Sequence, residues 1–363
     1  MGGLAKLHNT LSFPFISLGN SLVNDFEEVT APHAVNLYAF SVKRKTFSSH
    51  HTTCQGLNVF SGTVLEPKPQ REIAIKKTWP ESKDRERNFE MIFLTGISRK
   101  KHKNIVQMIF AFSNRVGKDN KICESFVFDF LPDTLASVIK REVLDDTDIK
   151  IYTWQLFNGL RYLSMHQIVH RDIKPLNVLI DHPLALLKIG DFGSAKIVRS
   201  LRLSFQVTRF YRPPELLLGS EYYNWTVDLW SAGCVVGEML RGNVLFPGRH
   251  GRHQLKLIFL CLGSPTDEDV KLMKVSLPFC ISLPTKSDFN SFQLCPHADQ
   301  GMLELLAKVL VYRPNDRLYG RQLLMHPAFA SILKLILLSV SNSYYAFLKL
   351  NIAERERKDL TDS

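Results

Sequence analysis

Apolar and polar residues alternate in short runs over the first third of the chain and recur at helical spacing over most of the rest. Asn58-Val59-Phe60 and the run Arg71 to Lys76 alternate like strands, with Glu66-Pro67-Lys68-Pro69 as the turn between them. Residues Asp84 to Thr95 predict a helix with Phe89, Ile92 and Phe93 on one face and Gly96 as its stop. Ile105 to Phe112 and Ser125 to Phe130 predict further strands. Beyond them the period lengthens. Ile149, Tyr152, Leu156, Leu160 and Leu163 place an amphipathic helix over Asp145 to His166. From Trp225 to Leu240 the apolar positions cover most of the circumference, which predicts a helix buried inside a sizeable lobe. Met302 to Val311 and Tyr319 to Met325 predict two more helices. This divides the chain into an aperiodic extension over 1–35, a strand-rich part over 36–131, a helix-rich part over 132–332 and a tail over 333–363, with the main boundary at Leu131-Pro132.

A length of 363 residues suits a two-lobed domain or two to three small ones. A hydrophobic content of 45% with 22% charged and 10% aromatic residues excludes global disorder, collagen-like repeats and a dedicated coiled coil. No internal repeat is visible. The net charge of +11 favours anionic partners without choosing among them. The six cysteines are scattered with no CxxC pair, which argues against a zinc site or disulfide framework and fits a reducing compartment. No apolar run approaches the roughly 20 residues that span a bilayer. Lys6 breaks the myristoylation pattern, and no signal peptide is read.

The sharpest chemical signal is His170-Arg171-Asp172-Ile173-Lys174-Pro175-Leu176-Asn177, followed 14 residues after Asn177 by Asp191-Phe192-Gly193. Phosphoryl transfer needs an acceptor for the hydroxyl proton, oxygen ligands for hard Mg²⁺ and a cation near the γ-phosphate. Asp172 supplies the first, Asp191 and Asn177 the second, and Lys174 the third.

These motifs, in this order, resemble those of eukaryotic protein kinases over about residues 50–332. Asp191 to Lys196, Arg209 to Glu215, Asp228 to Cys234, Phe246-Pro247-Gly248 and Leu262 to Thr266 are similar to the glycogen synthase kinase 3 (shaggy-like) branch. The resemblance implies an α+β, bilobal protein-kinase fold with a small β-rich N-lobe, a larger helical C-lobe and MgATP between them. It implies ATP and Mg²⁺ as cofactors and transfer of the γ-phosphoryl group to protein serine and threonine hydroxyls. Lys76 then holds the α- and β-phosphates, with Glu90 or, one turn earlier, Glu86 as its partner, Glu90 fitting the spacing better. Phe128 takes the gatekeeper position, and Asp129, Phe130 and Leu131 line the adenine edge through their backbone. Glu215 and Arg317 form a buried structural ion pair, Asp228 accepts from catalytic-loop N–H groups, and Thr208 bridges Asp172 and Lys174. Implied partners are protein substrates and helix-shaped scaffold proteins, with no nucleic acid and no membrane. The implied location is the cytoplasm, with the nucleus second.

Three departures stand against the pattern. Residues 52–57 read Thr-Thr-Cys-Gln-Gly-Leu where the family has its glycine-rich phosphate loop, either a genuine loss or a misassigned first exon. The branch's activation-segment tyrosine is replaced by Phe205. In the branch's three-cation pocket for pre-phosphorylated substrates, Arg171 and Lys196 match but the third position is Phe89, with Arg87, Arg199 and Arg202 as substitutes. These departures motivate an alternative, a pseudokinase scaffold with impaired use of ATP. A nucleic-acid module rests on charge alone.

Overall fold

The structure is a computed structural model that describes residues 16–18, 39–43, 58–66, 71–78, 89–116, 121–197, 208–275, 295 and 297–333. It comprises two compact units, one of residues 1–101 with 106–131 and one of residues 102–105 with 132–363.

The first unit is built on a six-stranded sheet. In chain order its strands are β1 (Ile16–Leu18), β2 (Ala39–Lys43), β3 (Asn58–Glu66), β4 (Arg71–Thr78), β5 (Met108–Val116) and β6 (Lys121–Asp129), and the spatial order is β1-β5-β6-β4-β3-β2. All neighbours are antiparallel except β1 and β5. Residues 1–35 are thus not wholly an aperiodic extension, because Ile16–Leu18 adds an edge strand. Three residues are too few to show alternation in sequence, and the open edge of β5 supplies the ladder. Alternation in β4 turns Ile73 and Ile75 into a core with Val64, Phe110, Phe112 and Val127.

Helix α1 runs over Phe89–Arg99 and so continues past Thr95, the predicted end; residues 84–88 of the predicted Asp84–Thr95 lie outside the described residues. Its buried positions are Glu90, Phe93, Leu94 and Ile97, whereas Ile92 is exposed. The i, i+3, i+4, i+7 spacing is right, but the phase is set by packing. Gly96 sits inside the helix on its exposed side, since a glycine lowers helix propensity without forcing a stop.

The predicted strand from Ile105 also moves. Strand β5 starts at Met108, and Ile105 instead bridges Ile189 in the second unit. The cause is Asn104, which is fully buried. Its side-chain amide donates to Gln155 and to the Leu187 carbonyl, its Oδ1 accepts from Asn158, and its carbonyl accepts from Ile189 N–H. A buried amide is costly unless its groups are satisfied, and this one gathers residues 102–105 into the second unit.

That unit is mainly helical: α2 (Leu135–Arg141), α3 (Asp146–Met165), α4 (Pro214–Leu217), α5 (Thr226–Arg241), α6 (Gly251–Leu262), α7 (Asp267–Leu272), α8 (Gln300–Val309) and α9 (Gly320–Leu324). Asp145 caps α3 by accepting from Asp148 N–H at 2.7 Å. Helix α5 is buried from Thr226 to Met239, as its all-round apolar pattern predicts. Its glycines permit the close approach: a Cβ at Gly233 would meet Leu310 at 2.7 Å, and one at Gly237 would meet Leu245 at 2.5 Å. Two small ladders then present the chemistry. Strands β7 (Asp133–Thr134), β9 (Val178–Asp181) and β10 (Leu186–Ile189) form an antiparallel sheet in the order β10-β9-β7. Strands β8 (Ile168–Val169) and β11 (Lys196–Ile197) pair antiparallel, tying the chain just before His170 to the chain just after Gly193.

Candidate active site

The loop after β8 carries His170 to Asn177 into a knot of hydrogen bonds centred on Asp172. Asp172 Oδ2 accepts from Lys174 Nζ at 2.7 Å and from Asn177 Nδ2 at 2.9 Å. Its Oδ1 accepts from Thr208 Oγ1 at 2.6 Å, and Lys174 Nζ also reaches Thr208 Oγ1 at 3.4 Å. Three residues, two from the same loop and one from 36 residues away, therefore converge on one carboxylate, and the expected Thr208 bridge is present. Charge-assisted contacts of this length hold a carboxylate in one orientation.

The backbone here is strained and then held. Arg171 has φ +68°, and Asp191 has φ +57°. A non-glycine residue in the left-handed region costs about 1–3 kcal/mol and persists only where its surroundings impose it. For Arg171 the clamp is Asp228, at the start of α5, whose carboxylate accepts from His170 N–H at 2.7 Å and Arg171 N–H at 2.9 Å. Burial pushes the Asp228 carboxyl above its ordinary range, while His170 and the two backbone donors oppose that rise.

His170 joins the two motifs, a role that motif spacing does not reveal. Its Nδ1 accepts from Asp172 N–H at 3.3 Å, so the ring proton lies on Nε2 and is donated to the Gly190 carbonyl at 2.8 Å. The ring also meets Phe192 edge-on at 5.1 Å. Gly190 N–H donates in turn to the Asn177 carbonyl. Asp191 is thereby tied to the Asp172 loop through its neighbour on each side.

Asp191 and Asn177 suit Mg²⁺. Both amide protons of Asn177 go to Asp172, one to its carboxylate and one to its carbonyl, which leaves Oδ1 as the outward oxygen donor. Among the described residues no group of three or more His, Cys, Asp or Glu converges as a metal site. A two-residue oxygen set fits Mg²⁺, which keeps waters and takes substrate phosphate oxygens.

In the first unit Lys76 Nζ donates to Glu90 Oε1 at 2.6 Å, and both are buried. Strand β4 supplies the lysine and the second residue of α1 the acid. Glu86, the other candidate partner, lies outside the described residues, as do residues 52–57 and Phe205. Asp129 ends β6 opposite Ile73, exposed, with its carboxylate 3.9 Å from Arg71. Phe128 is half-buried, and Leu131, the last residue of the first unit, is buried.

Elsewhere in the second unit, Arg317 donates to Glu215 through Nη1 and Nη2 at 2.7 and 2.6 Å and to the carbonyls of Thr226 and Val311. Arg171 donates to the Ser194 carbonyl and to Tyr223 Oη. Burial, then the nearby Arg171 charge, lowers the Lys196 pKa, so these two cations do share a neighbourhood. The segment after Thr208 is anchored by contacts that the motifs do not announce. Tyr211 Oη donates to buried Glu238, Ser231 donates to the Tyr211 carbonyl, and Gln254 donates to the Phe210 carbonyl.

A family model for the protein kinase domain matches residues 59–329. The chain is similar to the probable serine/threonine-protein kinase glkA of Dictyostelium discoideum, 35% identical over 270 residues that cover 73% of this chain and 55% of that protein. It is similar to glycogen synthase kinase 1 of Pyricularia oryzae, 32% identical over 305 residues, 78% of this chain and 74% of the relative. Protein kinase gsk3 of Schizosaccharomyces pombe is 33% identical over 270 residues, 71% of this chain and 67% of the relative. The chain thus spans little more than half the length of the Dictyostelium relative.

Proposed function

The chain belongs to the protein kinase domain family, and from that membership we propose that it is a serine/threonine protein kinase that moves the γ-phosphoryl group of ATP to protein hydroxyls. The observation that carries the reading is the convergence of Lys174, Asn177 and Thr208 on the Asp172 carboxylate. In this reading Asp172 orients the acceptor hydroxyl and takes its proton. Lys174, already between Asp172 and Thr208, offsets negative charge on the moving phosphoryl group. Asp191 and Asn177 are the residues that would hold Mg²⁺, which when bound neutralises phosphate charge. Lys76, kept in place by Glu90, binds the α- and β-phosphates. The backbone of Asp129 and Leu131 meets the adenine.

The scaffold-only alternative rests on residues 52–57 and on Phe205, which lie outside the described residues, and no observation favours it. Helix-shaped scaffold partners remain part of the proposal on resemblance to the glycogen synthase kinase 3 branch. A cytoplasmic location, with the nucleus second, is supported by the free buried thiols of Cys123, Cys234, Cys261 and Cys295. No described helix is long and apolar enough to cross a membrane.

Transfer of radiolabelled phosphate from ATP to a serine-containing protein tests the reading. Asp191→Asn should lower the rate by at least ~10²-fold, the scale of a lost metal or acid–base contribution. Wild-type transfer no higher than the variant's, with matching melting curves, would overturn it.

A further inference from the structure

From Met239 to Thr266 the chain contains no aspartate or glutamate, yet it carries Arg241, Arg249, Arg252 and Lys256 together with His250 and His253. Arg249, Arg252 and Lys256 are exposed, and none of the three has a carboxylate partner among the described residues. Their placement works against the local structure. Helix α6 has no acid in its first turn, where the helix dipole favours negative charge, and Arg252 and Lys256 stand one turn apart as a like-charge pair. The next helix does the opposite: α7 opens with Asp267, Glu268 and Asp269, and Arg313 pairs with the last two of these. A run of cations that costs local stability and has no internal counter-charge is the mark of a surface built for an outside anion.

The surface is tied directly to the reacting centre. Arg209, itself exposed, donates to the carbonyls of Gly248 and Arg249. The residue before it is Thr208, whose hydroxyl donates to Asp172. A single arginine side chain therefore spans the interval between the activation-segment end and the cationic turn.

We propose that Arg209, Arg249, Arg252 and Lys256 form a recognition surface for a run of aspartate and glutamate residues in the protein substrate, flanking the acceptor hydroxyl. This rests on the kinase reading above. Arg249 on the turn, Arg252 and Lys256 along α6, and Arg209 reaching the turn from the segment after Thr208 match several carboxylates on an extended chain better than one compact phosphate. Because Arg209 follows Thr208 directly and reaches the Gly248 and Arg249 carbonyls, the acidic run lies close to the acceptor in sequence.

Two measurements on the full chain test it. The first is fluorescence anisotropy of a labelled serine peptide with an acidic run, against the same peptide with Asn and Gln in place of the acids. The second is phosphate transfer to both peptides, with Asp172→Asn as the blank. The acidic peptide should bind more tightly at low salt, and the preference should fade as salt rises. The double variant R249E/R252E should lower the acidic-to-neutral ratio of kcat/KM, and of affinity, by about tenfold or more. R249Q/R252Q should show a smaller loss in the same direction, with both variants melting like the wild type. Equal binding of the two peptides, or a ratio that survives charge reversal, would overturn the proposal. So would tenfold tighter binding of a peptide bearing one phosphoserine and no acidic run. Transfer no higher than the Asp172→Asn blank on both peptides would sink the kinase reading instead, and the anisotropy would still decide the surface.

Discussion

Two buried ion pairs, one in each unit, have the same shortest contact of 2.6 Å and do different work. In Glu215–Arg317 the side chains are 1% and 0% exposed. The arginine fork takes both carboxylate oxygens, two further carbonyls, and the face of Trp230 at 5.2 Å. In Lys76–Glu90 the side chains are 11% and 9% exposed, and the cation is a point charge on a flexible stem. The first geometry seals a charge so that it can only hold structure. The second leaves the charge partly open to solvent, as the proposed phosphate-binding role of Lys76 requires. Distance alone does not separate a structural pair from a functional one; saturation and exposure do.

The sharpest way to break this comparison is Arg317→Ala. It leaves Glu215 buried without its counter-ion, and the expected loss is about 3–5 kcal/mol of stability, read as a large fall in Tm. Lys76→Met comes next. It should lower kcat/KM by about 10²–10³-fold, as removal of one electrostatic donor does, with a smaller fall in Tm than Arg317→Ala. Equal Tm losses in the two variants would erase the distinction. Half-buried His102 offers a third solution to a cation partly removed from water, which is to lose the proton. Burial first, then Lys103, Arg161 and His166, lowers its pKa from 6.5 to about 4. The folded His102 stays neutral where the unfolded chain binds a proton, so stability should fall as pH drops from about 6.5 to about 4. His102→Gln should flatten that part of the Tm-against-pH curve, and an unchanged slope would refute the assignment. This is the smallest of the three effects.

Much of the site was legible in sequence because its chemistry is carried on short segments. The spacing of Asp172, Lys174 and Asn177 on one loop, and of Asp191 ahead of Phe192-Gly193, follows from local chain geometry. The long helices α3 and α5 were legible too, since sixteen to twenty residues give a clear period. Short or ambiguous elements were not. The strand at Ile16–Leu18 has no pattern of its own and exists by pairing with β5. The phase of α1, with Ile92 outside and Glu90 inside, depends on what the helix packs against. Asn104 and His170 gave no signal beyond their identity, because their roles lie in partners 51 to 83 residues and 20 residues away.

The order of the motifs, the inventory of candidate catalytic side chains and the acid-free basic stretch over 239–266 are properties of the chain alone, set by residue identity and near-neighbour spacing. Tertiary structure decided that Lys76 meets Glu90, that Asp228 clamps a strained Arg171, and that Thr208 closes on Asp172 from 36 residues away. Contacts of that kind depend on strand register and helix phase, which arise only when distant apolar faces pack and leave the polar groups between them no cheaper partner than one another.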